Sequence, residues 1–244
     1  MPSFRPKWRP RQCCARVGWG DRAFGKLKST LGVETGAQLS RSLRSLEVGK
    51  RIIARDVPVS GRPSREARYR VADPYLRFWL RFIEPGLADI ERGRADVVIE
   101  RVQQSWLDYR GMAIEPIVRD ALTRLAASDP RLGGATYVGG WWPRHNDPEV
   151  DLVGVDRGPG QYNSVCIVGS IKWRDRAPFG ERDLERLVRD HPAVPGAGDA
   201  PLVAVNRAGV ELEHALAAAF GPADLLRACD DGQPVSLLLV AMMA

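Results

Sequence analysis

Nowhere does the sequence hold the run of about eighteen apolar residues that a membrane-crossing helix needs, and the closing stretch PVSLLLVAMMA is far too short. The basic opening MPSFRPKWRPRQCC lacks the apolar segment of a signal peptide. Neither leader nor anchor is expected, and the reading is a cytoplasmic protein with no membrane partner. Cysteine and histidine are scarce. Cys13, Cys14, Cys166 and Cys229 show no CxxC spacing, and His145, His191 and His214 stand far apart. That pattern excludes a zinc site of paired cysteines and a disulfide framework, and leaves free thiols.

What is present is an ordinary globular composition, 44% hydrophobic over 244 residues, enough for a sizeable core and two small domains. The charge is unevenly placed. Residues 1–70 carry 17 Lys/Arg against 5 Asp/Glu, a net of +12, while residues 71–244 carry 19 against 25, a net of −6. A concentrated positive field attracts polyanions through counterion release, and double-stranded DNA is the expected partner. A solvated basic tail is the plainer explanation of the same charges.

The segment 1–20 sets Pro2, Pro6 and Pro10 among arginines without an apolar period, which predicts a basic disordered arm. From Arg22 the spacing turns helical through Phe24, Leu27 and Leu31, broken at Gly32. A second helix starts near Thr35 or Gly36 with Leu39, Leu43 and Leu46 on one face, and ends at Gly49. KRIIARDVPV and EARYRVAD then read as two strands around the turn SGRPS. Residues 21–72 are therefore expected to form a winged helix-turn-helix. In that motif the second helix enters the major groove, which makes Arg41 and Arg44 candidates for DNA contact and Arg62, Arg65 and Arg68 candidates on the wing. Such modules also dock proteins, and arginines on a solvated helix face are common.

GDRAFGKL, Gly20 to Leu27, imitates a phosphate-binding loop, but Leu27 stands where magnesium needs a Ser or Thr hydroxyl and no strand precedes it. No nucleotide is expected. DPYLRFWLRFIEP should be a helix capped by Asp73 with Pro74 in its first turn, opening a helical connector over residues 73–110. GMAIEPIVRDALTRLAA continues as a separate helix with a stripe of Ile114, Ile117, Val118, Leu122 and Leu125, and Glu115 beside it. ATYVGGWWP, a hairpin over residues 148–173, a charged helix at 181–190, the strand PLVAVNRAG and a final helix at 210–227 complete an α/β sandwich over residues 111–230, followed by a tail at 231–244.

Alternation on the hairpin places Glu149 and Asp151 on one face of its first strand, and Ser170 and Lys172 together on the second. A turn centred near Gly160 sets Asp151 about opposite Ser170 and Glu149 about opposite Lys172, with a slip of two preserving the faces. Glu115 can join them if its helix packs on that face. Ordinary pairings stay open as well: Glu115 with Arg119 one turn on, and Lys172 with Glu149 across the strands.

A helix glutamate, a strand aspartate and an acid-x-lysine on the next strand resemble the PD-(D/E)xK nuclease superfamily, in which carboxylates hold magnesium and the lysine orients the attacking water. The runs RYRVADPYLRFWLRFI, YRGMAIEPIVRDAL, VGGWWP, EVDLVGVD and VGSIKW further resemble the C-terminal region of archaeal-type ATPases, AAA/STAND-like proteins in which a P-loop domain precedes a winged helix and a restriction-endonuclease-like domain. The resemblance covers about residues 22–230. It implies Glu115, Asp151 and Lys172 as catalytic residues, Asp151, Glu115 and Glu149 as ligands of Mg²⁺, and a separate ATPase subunit as a partner. Where those relatives read like GECKW this chain reads GSIKW, so Ser170 replaces the acid, and the P-loop domain is missing. The resulting expectation is a DNA-binding protein with a degenerate nuclease-like domain. The alternatives are an active Mg²⁺-dependent endonuclease and a protein-interaction module for a separate ATPase.

Overall fold

The computed structural model describes residues 10–145 and 147–228. The expectations for the first nine residues of the arm, for Cys229 and for the tail at 231–244 lie outside them. The chain divides into two compact units, one built from Met1–Asp56 with Ala67–Trp106, the other from Val57–Glu66 with Leu107–Ala244.

The first unit opens with three short helices: α1, Pro10–Gly18; α2, Phe24–Thr30; and α3, Gly36–Arg44. A helix at Pro10–Gly18 departs from the irregular arm that proline and arginine predict. Pro10 is its first residue, where a missing N–H costs nothing, and Cys13, Cys14 and Val17 turn one face into the core. Burial, and next to it the neighbouring Cys14, pushes the Cys13 thiol up to about 12. Gly18 lets Leu80 close on the end of α1, since a Cβ there would stand 2.6 Å from the Leu80 Cβ. In α3 Leu39 and Leu43 are buried while Arg41 and Arg44 are exposed, and a wider turn at Ser45–Gly49 carries Leu46 into the same core. Strands β1, Ile53–Asp56, and β2, Arg68–Val71, pair antiparallel with Ile53 opposite Val71 and Asp56 opposite Arg68. Asp73 caps α4, Pro74–Phe78, by accepting from the Leu76 N–H at 2.6 Å, as the Asp-Pro signal predicts.

After α5, Leu87–Glu91, helix α6 runs as one piece over Ala95–Leu125. The expected break between a connector ending at 110 and a new helix at 111 does not occur. Gly111 meets open space, and Pro116 forfeits one backbone N–H inside a helix whose Ile114, Val118 and Leu122 are completely buried. Packing outweighs both local penalties.

The second unit is a five-stranded mixed sheet in the order β3–β4–β5–β6–β7: Tyr137–Trp141, Val150–Val155, Val165–Lys172, Leu202–Asn206 and Ala218–Phe220. β3, β4 and β5 are antiparallel, while β6 and β7 continue parallel to β5. Helix α7, Glu181–Asp190, connects β5 to β6, and its Leu187 packs with Val153, Val155, Val168, Phe179 and Ala204. The single helix expected at 210–227 is a correction: the stretch gives β7, then α8 at Pro222–Arg227. The alanines of ALAAAF favour helix, but pairing Val203 with Ala218 and Val205 with Phe220 buries Ala218 and Phe220, and Gly221–Pro222 restarts the chain as a helix.

The edge of the sheet at β3 is covered. The Thr123 hydroxyl of α6 accepts from the Val138 N–H at 3.0 Å, and the Val59 N–H donates to the Gly140 carbonyl at 2.9 Å. The sequence reading runs the first strand through Val59 and confines the turn to residues 60–64, whereas β1 ends at Asp56, β2 begins at Arg68 and Val59 belongs to the segment Val57–Glu66 between them. Its Gly61 N–H donates to the Pro195 carbonyl at 2.7 Å, and Asn163 donates to the Ser60 carbonyl at 3.1 Å. The turn is thus a built part of the second unit.

Beneath β7, Arg131 lies over the Phe220 ring at 4.4 Å and donates to Asp129 at 2.6 Å and to Asp224 at 2.8 Å. The Arg131 hydrogen bond holds the Asp129 carboxyl below its ordinary 3.8. At Asp224 burial works upward, but the Gly221 N–H and Arg131 outweigh it and the carboxyl is lowered too. A carboxyl lowered in the folded state contributes stability that is full above its unfolded value and is lost as pH falls through the folded one. Arg131→Met should therefore shift acid unfolding to higher pH, read by circular dichroism across an acid titration.

Candidate functional site

The site is assembled at the start of β4, the end of β5 and the middle of α6. Leu152 faces Gly169 in the antiparallel ladder, so the next step sets Asp151 beside Ser170. There the Ser170 hydroxyl donates to Asp151 Oδ2 at 2.8 Å, the Ile171 N–H donates at 2.9 Å, and the Lys172 ammonium at 3.4 Å. Both charged side chains are only about one-fifth exposed. The cross-strand ion pair of this hairpin thus joins Lys172 to Asp151.

Glu115 enters through an arginine. Arg119 Nη2 donates to Glu115 Oε2 at 3.1 Å and Arg119 Nε donates to the Asp151 backbone carbonyl at 2.8 Å. One guanidinium therefore ties the helix carboxylate to the strand that carries Asp151. The double glycine of VGGWW makes room for this. A Cβ on Gly140 would lie 2.8 Å from Arg119 Nη2, and one on Gly139 would lie 2.4 Å from Val59 Cγ2. Arg119 is the site residue that the sequence reading undervalued. Its signal was the four-residue step from Glu115, which makes an ordinary helix pair, but nothing local shows its second arm reaching a strand.

Glu149 is half-buried immediately before β4. Among the described residues no three Asp, Glu, His or Cys side chains converge as metal ligands, so Glu115, Glu149 and Asp151 do not form the expected three-carboxylate set. The donor chemistry explains this. Mg²⁺ takes an octahedron of oxygens, one or two of them from carboxylates and the rest from water or substrate; here one Asp151 oxygen receives three donors, Glu115 is paired with a guanidinium, and Ser170 is neutral. Ser170 leaves its position without an anionic ligand.

The remaining predicted residues fall in both units. Arg41 and Arg44 are exposed on α3 in the first, and Arg68 is half-buried in β2. Arg62 and Arg65 are exposed on Val57–Glu66, within the second. A further cluster lies just past the ends of β5 and β6, where Asp175 Oδ1 accepts from Arg110 at 2.8 Å and from Arg207 at 2.5 Å.

With this geometry in view, the comparisons are informative about kinship and silent about activity. Residues 79–186, which include Glu115, Asp151, Ser170 and Lys172, match the DUF234 family model, described as archaeal and bacterial proteins of unknown function. A 175-residue stretch is 26% identical to an uncharacterized protein of Methanocaldococcus jannaschii and covers 71% of this chain. The chain spans little more than a third of that relative, 37% of its length. No solved structure matches the chain.

Proposed function

We propose that this chain is a DNA-binding protein whose first unit is a winged helix-turn-helix and whose second unit has the frame of a PD-(D/E)xK nuclease with its metal chemistry lost. The observation that carries the reading is the Asp151 carboxylate, held by Ser170, Ile171 and Lys172 at the place where such an enzyme gathers acids around magnesium. Three helices followed by a two-stranded ribbon support the first half, as do the exposed Arg41 and Arg44 on the third helix and the net charge of +12 in residues 1–70. Such a protein holds DNA without cutting it.

The test is duplex binding by the full chain over a range of salt concentrations. Arg41→Ala with Arg44→Ala should weaken binding by at least about tenfold and reduce the logarithmic salt slope by about 2. Affinity and slope equal to the parent's would remove the reading. Cleavage that depends on Mg²⁺ or Mn²⁺ and disappears in Asp151→Ala would instead favour the second reading, an endonuclease, for which the direct Lys172–Asp151 contact speaks. The third, a module for a separate ATPase subunit, is favoured by the 37% coverage of a much longer relative, and copurification of such a subunit would support it.

A further inference from the structure

The arginines past the ends of β5 and β6 play no part in the site above. Arg110 comes from α6, Asp175 from the segment after β5, and Arg207 directly follows β6. The Arg110 side chain is only 7% exposed, and its second arm donates to the Trp173 carbonyl at 3.4 Å. Its Nε is buried and has no partner, an expensive arrangement for a guanidinium. Asp175 by contrast is 44% exposed, so the anion that both arginines share is the accessible and replaceable member. The Arg110 hydrogen bond, with the charge of Arg110 and then of Arg207, holds the Asp175 carboxyl below its ordinary range. Carboxyl ends of adjacent parallel strands are also where open α/β sheets receive ligands. β5 and β6 are such a pair, in register at Lys172 and Asn206.

We propose that Arg110 and Arg207 form a binding site for a terminal phosphate, a phosphate monoester, whose place Asp175 takes in the structure described here. One Asp175 oxygen receives a single bond from each arginine. A terminal phosphate offers three free oxygens on a tetrahedral centre, so each guanidinium can donate to an oxygen of its own where one carboxylate oxygen now serves both. The site goes beyond the DNA-binding reading, because it lies wholly in the second unit and needs neither Arg41 nor Arg44. Its ligand is a free phosphate ester or the phosphorylated end of a nucleic-acid strand, which share this chemistry.

The experiment titrates inorganic phosphate into the full chain by calorimetry. It then compares duplexes bearing 5′-phosphate with the same duplexes bearing 5′-hydroxyl. Asp175→Asn, which removes the competing charge, should tighten phosphate binding by about tenfold, and Arg207→Ala should weaken it by about tenfold or more. Arg207→Lys should recover only part of that loss, since an ammonium lacks the fork. These variants spare the buried Arg110, whose removal could unfold the unit. A preference for 5′-phosphorylated duplex that Arg207→Ala abolishes identifies a strand end. Response to inorganic phosphate without that preference identifies a free ester. The proposal is overturned if phosphate binding is absent, or if Asp175→Asn lowers stability while phosphate affinity stays at the parent's value, as a purely structural ion triad requires. Because the inorganic-phosphate titration does not involve α3, loss of the DNA-binding reading and loss of this site are told apart.

Discussion

Asp151→Ala should destabilise the second unit by about 3 kcal/mol, measured by urea unfolding of the full chain. The substitution strands three donors in one step: the Ser170 hydroxyl, the Ile171 N–H and the Lys172 ammonium all point at the same lost oxygen. Asp151 and Lys172 are about four-fifths buried, so water only partly replaces the missing acceptor. Asp151→Asn keeps an oxygen for one or two of the donors and should cost less. The sign separates the two halves of the functional argument. In a working metal site without its ion, clustered carboxylates repel one another, and removing one commonly raises stability. A gain on Asp151→Ala would therefore restore the endonuclease reading. A loss of several kcal/mol is what a carboxylate already satisfied by its own neighbours demands.

Gly169→Ala should be comparably severe, about 3 kcal/mol. Gly169 lies in β5 opposite Val203 of β6, and an ideal Cβ would stand 2.5 Å from both the Val203 carbonyl oxygen and Val203 Cγ2. Backbone cannot retreat as a flexible side chain can, so the parallel pair must separate. That pair sets Lys172 in register with Asn206, and the same separation should loosen the Lys172–Asp151 contact. The control is Gly25→Ala in α2, where a Cβ meets nothing within 4 Å and helix propensity favours alanine by up to about 1 kcal/mol. Equal denaturation midpoints for the two variants would refute the packing argument.

Much of the candidate site could be read from residue spacing, for a definite reason. Strand alternation is strictly two-fold, so locating the turn near Gly160 was enough to set Asp151 against Ser170, and the hydroxyl–carboxylate bond follows. The Asp73 cap and the leucines of α3 were legible on the same basis, since each depends on neighbours three or four residues away. The failures share the opposite character. Arg119 reaches a carbonyl 32 residues on, and Arg110 reaches a carboxylate 65 residues on, distances over which periodicity carries no signal. Within the stretch at 210–227, Ala218–Phe220 has helical composition and becomes a strand because β6 offers it an edge. Pro10, counted with Pro2 and Pro6 toward an irregular arm, instead starts a helix, an outcome that depends on whether the following face finds a core. The boundary expected between 110 and Gly111 is overridden by the burial of Ile114, Val118 and Leu122, which carries the helix through.

The ribbon strands β1 and β2 belong to one unit while Val57–Glu66, ten residues of the loop between them, belong to the other. No single cut in the polypeptide can release either part whole. A fragment starting at Leu107 would leave behind the N–H groups that Val59 and Gly61 present to the Gly140 and Pro195 carbonyls. Inheritance is constrained in the same way: a recombination event that swapped only the C-terminal portion would deliver a sheet that keeps Thr123 at its edge but loses the Val59 contact. The two parts share this loop and helix α6, and selection on either acts on residues encoded inside the other.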